Sequence, residues 1–229
     1  MTTEAIAAIL LIGVPIAFNV TFTLLARSFS YPDILRQPAG TILTRFNAGG
    51  TSLLLLWWAF ALTALLMVPV VAVVASLFAD GGLRTLALAT GLLSALVQTL
   101  GLMRWPFVVP LLARRYVDPL ATQGQRDATE LMFDALHRYL GVGVGEHLGY
   151  LFTGSWTILT GALILGSSVA PIWLGWLAFP IGVAILIGAL EFIGPNERDG
   201  WSVAARITPI AYIAWSLWLI AFGVALLLT

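Results

Sequence analysis

The chain of 229 residues has no cysteine, so it can form no disulfide and offers no thiolate as nucleophile or metal ligand. It also has no lysine: all eleven basic residues are arginine, which excludes a Schiff-base lysine and a retinal attached through one. Only two histidines occur, too few for a histidine-rich di-iron site. Charge is scarce as well, at 10% of residues against about 25% in soluble domains. The formal net charge of zero gives no signal for a nucleic-acid partner. What remains is apolar: 60% of residues are hydrophobic and the mean hydropathy is +0.98, the composition of an integral membrane protein. The first apolar run follows Glu4 without a basic leader and reads as a retained first helix.

A membrane span needs about 20 apolar residues. Six can be marked, at about 6–26, 48–78, 83–103, 139–165, 172–193 and 207–228. Pro15 lies inside the first, and Pro69 is a place for the long second span to bend. The expected fold is an all-α, six-span transmembrane helical bundle, a single domain over residues 1–229, with no internal repeat. When the loops are placed on alternate sides, one side receives ten arginines and the other only Arg84. That asymmetry puts the arginine-rich loops in the cytoplasm and both termini outside it. The first of these loops, SYPDILRQP, has Pro32 and Pro38 around one or two turns and is expected at the interface. The second, RWPFVVPLLARRY, is too apolar for a free linker. Its two prolines argue against one long helix, so an interfacial or partly re-entrant segment is expected there, with a polar turn at 122–127 after it.

The most informative stretch runs from Glu130 to Trp156. It holds both histidines, His137 and His147, and three of the eleven carboxylates, Glu130, Asp134 and Glu146. Ionisable groups carried into a span are costly in lipid and mark function by default. On a helix turning about 100° per residue, Glu130, Asp134, His137, Gly145 and Gly149 fall within roughly 80° of Gly141. The Gly141-x3-Gly145-x3-Gly149 track permits close approach of another helix. Glu146 and His147 lie off that stripe, with Tyr150 and Thr153 on the Glu146 side.

Counted inward from the cytoplasmic arginine of each span, Asn19, Gln98, Glu146 with His147, Glu191 and Tyr212 lie roughly 9–14 Å deep. If these faces converge they form a polar pocket in the cytoplasmic third of the membrane. Each group has a plainer reading: Asn19 and Gln98 can bond neighbouring backbones, Glu191 can sit at the interface, and a buried Glu146–His147 pair can serve only to fix helix register.

Three chemistries follow. Glu130, Asp134 and His137, at i, i+4 and i+7, can point oxygen and nitrogen donors at one divalent metal; the alternative is a helix entering the membrane with an Asp134–Arg138 ion pair. Glu146 and His147 can act as an acid–base pair on a lipid or small substrate. Without chemistry, Asn19, Arg45, Gln98, Arg104, Arg138 and Tyr150 can hold a small or lipid-like ligand, including an anionic one. An accessory subunit of a membrane complex would need no pocket. Membrane lipid and a small molecule are the expected partners; oligomeric state is not legible.

The strings FNVTFTLLARSFSYPDILRQP, RFNAGG, GLMRWPFVVPLLARRY and HRYLGVGVGEHLGYLFTGSW resemble the bacterial membrane family catalogued as domain of unknown function 4386. The resemblance covers about residues 18–191 and implies a small multi-span protein of a bacterial plasma membrane. It carries no activity. Its strings surround Asn19, Arg45, Arg104, His137, Glu146 and His147.

Overall fold

The computed structural model describes residues 1–228. Five helical stretches are long and apolar enough to cross a membrane: α1 (Thr3–Phe29); α2 (Ala39–Leu65) with α3 (Met67–Ser76); α4 (Gly82–Phe107) with α5 (Val109–Val117); α6 (Gln123–Leu136) running through a π-helical segment (His137–Leu148) into α7 (Gly149–Leu165); and α9 (Ser202–Leu228). A sixth, α8 (Ile172–Gly188), has 17 residues and mostly apolar side chains. At 1.5 Å per residue it is about 26 Å long, close to the roughly 30 Å of a hydrocarbon core. No strand occurs among the described residues.

The helices are packed as a ring. The first meets the second, α2 meets α4, and α4 meets the π segment and α7; α7 meets α8, α8 meets α9, and α9 returns to α1. Two apolar cores lie in this ring. One gathers residues of α1, α3, α4, α7, α8 and α9, among them Leu11, Val71, Trp156, Leu174 and Phe222. The other lies at the arginine-rich end and is aromatic, with Phe29, Phe46, Trp57, Trp105 and Phe133. Trp57 and Trp105 stack face to face there, with centroids 4.2 Å apart and planes 8° apart.

Local sequence accounts for the ends and breaks. The Thr2 hydroxyl accepts from the Ala5 N–H and caps α1, and Ser30 in the left-handed region (φ 57°) ends it. Thr122 and Gln125 form a reciprocal capping box that starts α6. Gly50 (φ 56°, ψ −151°) kinks α2 in a conformation open essentially to glycine alone. The bend expected near Pro69 falls at Leu66, three residues before it, because proline is tolerated in the first turn of α3 but not beyond.

Two expectations need correction. The second span begins at Ala39, not near residue 48, because Arg45 and Asn47 continue the helix below the apolar run. The RWPFVVPLLARRY segment is nearly all helix. Pro106 lies within α4, the chain kinks at Val108, and Pro110 occupies the first turn of α5. Pro110 falls in the first turn of α5, where its missing N–H would have no intrahelical partner, and Pro106 falls in the last turn of α4, two residues before the kink.

An inner cavity walled by the π-helical segment

Inside the ring is a cavity of about 210 Å³. Its polar lining comes from Asn19 of α1, Tyr31 of the first loop, Gln98 and Arg104 of α4, Glu146 of the π segment, and Tyr150 and Tyr212 of α7 and α9. Phe18, Phe22, Phe60 and Trp105 supply apolar walls. Tyr31 and Pro32 border it from the arginine-rich end, beside the short turn Asp33–Arg36. That turn is pinned by buried Ile34 and by an ion pair from Arg36 to Glu191 at 3.1 Å. Burial drives the Tyr31 phenol well above its ordinary range; the Glu146 carboxylate adds to the rise and Arg104 opposes it.

The wall between α4 and the π segment is built on glycine. A Cβ on Gly141 would lie 2.6 Å from the Arg104 guanidinium, one on Gly101 would lie 2.6 Å from Gly145 Cα, and one on Gly149 would lie 2.8 Å from Gln98 Cγ. The glycine track therefore packs against α4 and lets the two backbones touch. Bonding of the π type, i→i+5, is rare and recurs at functional sites; here it covers His137–Leu148. A second ladder, absent from the sequence reading, joins α7 to α8: a Cβ on Gly154 would meet Gly182 O at 2.6 Å, and one on Gly161 would meet Gly175 O at 2.8 Å.

Arg104 is 6% exposed and has no carboxylate against it. It donates to Gly101 O and to His137 Nδ1, the latter at 3.2 Å, and its Nε has no hydrogen-bond partner. Arginine only donates, so this contact needs the Nδ1 lone pair and leaves the His137 proton on Nε2. Glu146 faces the cavity and, among the described residues, makes neither an ion pair nor a side-chain hydrogen bond. Asn19 donates to Pro15 O (2.7 Å) and Ser216 Oγ (3.0 Å), and Gln98 donates to the Ser94 and Thr153 hydroxyls, each at 2.9 Å.

The structure thus brings together Asn19, Gln98, Arg104, Glu146, Tyr150 and Tyr212 of the sequence candidates. It separates the others. His147 Nδ1 donates to Ala189 O at 2.7 Å and lines an outer cleft of about 190 Å³ with Arg138, Glu191 and Glu197; Glu146 borders both spaces. Arg138 bonds Glu197, not Asp134. Arg45 is exposed and reaches Ser30 Oγ at 3.1 Å. Glu130, Asp134 and His137 do not converge: Glu130 and Tyr116 crowd Gly40, Asp134 is exposed, and His137 turns to Arg104 and stacks on Phe133. No group of three His, Asp or Glu side chains among the described residues could hold a metal. Tyr31 and the aromatic walls were missed, since nothing in a loop tyrosine or a scattered phenylalanine signals which cavity it will border.

Fold and site define an all-α membrane bundle with a mixed-charge cavity at its centre. The chain belongs to the family described as Domain of unknown function (DUF4386), whose model matches residues 6–223. No curated protein and no solved structure matches it.

Proposed function

We propose that the protein binds a small or lipid-like ligand in the inner cavity of a bacterial plasma membrane, with the arginine-rich ends of the helices in the cytoplasm. The observation that carries this reading is the Glu146 carboxylate, held at a cavity wall without a hydrogen bond or ion pair. A polar group withdrawn from water costs free energy unless a partner satisfies it, and a carboxylate costs most. A ligand with donors for Glu146 supplies that partner. The aromatic walls suit an apolar portion of the same molecule. Glu146 would repel an anionic ligand and Arg104 a cationic one, so a head without net charge suits the pair. Acid–base chemistry by Glu146 and His147 together finds no support in the inner cavity, which His147 does not line.

Native mass spectrometry of the protein released from native membrane discs tests the reading. The expected result is a bound mass on the wild type that is lost from Glu146→Gln of unchanged thermal stability. Apoprotein alone in both samples, across gentle release conditions, would overturn it.

A further inference from the structure

Resting on that reading, we infer that the ligand is an uncharged single-chain amphiphile that reaches the cavity sideways from the bilayer, between α1 and α9. The cavity is too small for a whole lipid: about 210 Å³ compares with the roughly 150 Å³ that takes a benzene ring, enough for a headgroup and little more. A second space, a groove of about 510 Å³, runs along the outside of α1 and α9. Its rim is mostly apolar and exposed, with Ile16, Val20, Leu24, Ile213 and Leu217, and it also carries Thr23 and the exposed Arg27. Asn19 and Ile213 line both the groove and the cavity, so these two residues are the boundary at which the spaces adjoin. The only α1–α9 side-chain hydrogen bond among the described residues, Asn19 to Ser216, stands beside that junction.

The headgroup chemistry follows from the walls. One arginine and one carboxylate give the cavity no net formal charge, and each Arg104 terminal nitrogen keeps one N–H beyond those given to Gly101 and His137. A phosphate would face the Glu146 carboxylate, and an ammonium would face the Arg104 guanidinium. A polyol head avoids both. It can donate to Glu146 and to the Asn19 carbonyl oxygen, whose amide N–H groups are already used, and it can exchange hydrogen bonds with Tyr31, Tyr150 and Gln98. Its chain would leave at Ile213 and lie in the groove, where it exchanges bilayer lipid for an apolar rim.

The test uses a monoacylglycerol carrying a diazirine in its chain, with cross-links mapped by tandem mass spectrometry. The expected result is saturable labelling on residues 16–24 and 213–220. Excess monoolein should reduce it at least fivefold, and lysophosphatidic acid or a long-chain alkylamine should not. Glu146→Gln and Ile213→Trp should each reduce it similarly; if Ile213→Trp does not fold, Leu217→Trp takes its place. Labelling untouched by monoolein and by Glu146→Gln would mark ordinary boundary lipid and overturn the inference. So would competition by the charged amphiphiles, or by glycerol without a chain. In those cases a bound mass in native spectra would leave the cavity reading standing, whereas loss of that mass as well would remove both.

Discussion

Gly101 of α4 and Gly145 of the π segment meet backbone to backbone, and a Cβ on Gly101 would sit 2.6 Å from Gly145 Cα and 2.8 Å from Leu140 O. The same atom on Gly145 would keep 3.2 Å to both Gly101 Cα and Leu140 O. Gly101→Ala is therefore the costlier change. Backbone cannot swing aside as a side chain can, so overpacking of about 1–3 kcal/mol is expected. For a chain of this size that lowers Tm by roughly 2–4 °C per kcal/mol. Gly145→Ala should lose less. Gly13→Ala, with nothing within 4 Å of the added methyl, should lose nothing. Thermal melts in one detergent check the order; equal losses at Gly101 and Gly13 would contradict the packing.

Arg104 and His137 act as one unit. Replacing Arg104 by Met leaves Gly101 O and His137 Nδ1 without their donor, at a cost of about 1–3 kcal/mol. His137→Phe keeps the stacking on Phe133 and loses only the acceptor. The two changes combined should cost less than their sum by at least about 0.5 kcal/mol, as contacting residues do. Additive losses of Tm would show that the contact contributes nothing.

At Gly50 the backbone itself is the constraint, since no heavy atom lies within 4 Å of an added Cβ. Gly50→Ala should cost about 1–3 kcal/mol from torsion alone. An unchanged melting temperature would mean that the kink is free to straighten.

The turn that carries Tyr31 is fastened by Arg36 to Glu191. Arg36 is largely exposed, so the pair is worth no more than about 1 kcal/mol. Because the chain has no cysteine, Gln98→Cys places a single thiol on the inner cavity. Arg36→Ala should speed its reaction with a small methanethiosulfonate by up to about fivefold, the factor that such an energy allows. An unaltered rate would show that the ion pair does not hold the turn over the cavity.

Orientation is tested with the same background. Thr2→Cys should react with an impermeant maleimide in intact cells, and Gln123→Cys only after lysis, as the ten-to-one arginine distribution requires. The reverse pattern would invert the topology.

Hydropathy made the spans legible, and residue depth placed Asn19, Gln98, Glu146, His147, Glu191 and Tyr212 in one layer; Asn19, Gln98, Glu146 and Tyr212 line the cavity, whereas His147 and Glu191 line the outer cleft. The glycine track was legible too, because small residues at four-residue spacing have few other uses in a span. What escaped depends on partners. His147 sits one residue from Glu146, but its ring finds the Ala189 carbonyl on α8, and no periodicity reveals which neighbour waits there. The proposed metal set assumed regular α geometry as far as His137, where the π segment begins and Arg104 takes the imidazole. The Gly154–Gly182 and Gly161–Gly175 contacts were invisible for the same reason: each glycine matters only against the helix opposite.

The ring has a consequence for biogenesis. Every seam but one joins spans that leave the ribosome in succession, whereas α9 must come back to α1 across nearly the whole chain. During synthesis the nascent protein is thus an open arc whose interior lies bare to the bilayer on one side, and a lipid could already occupy it before the final span slides into place.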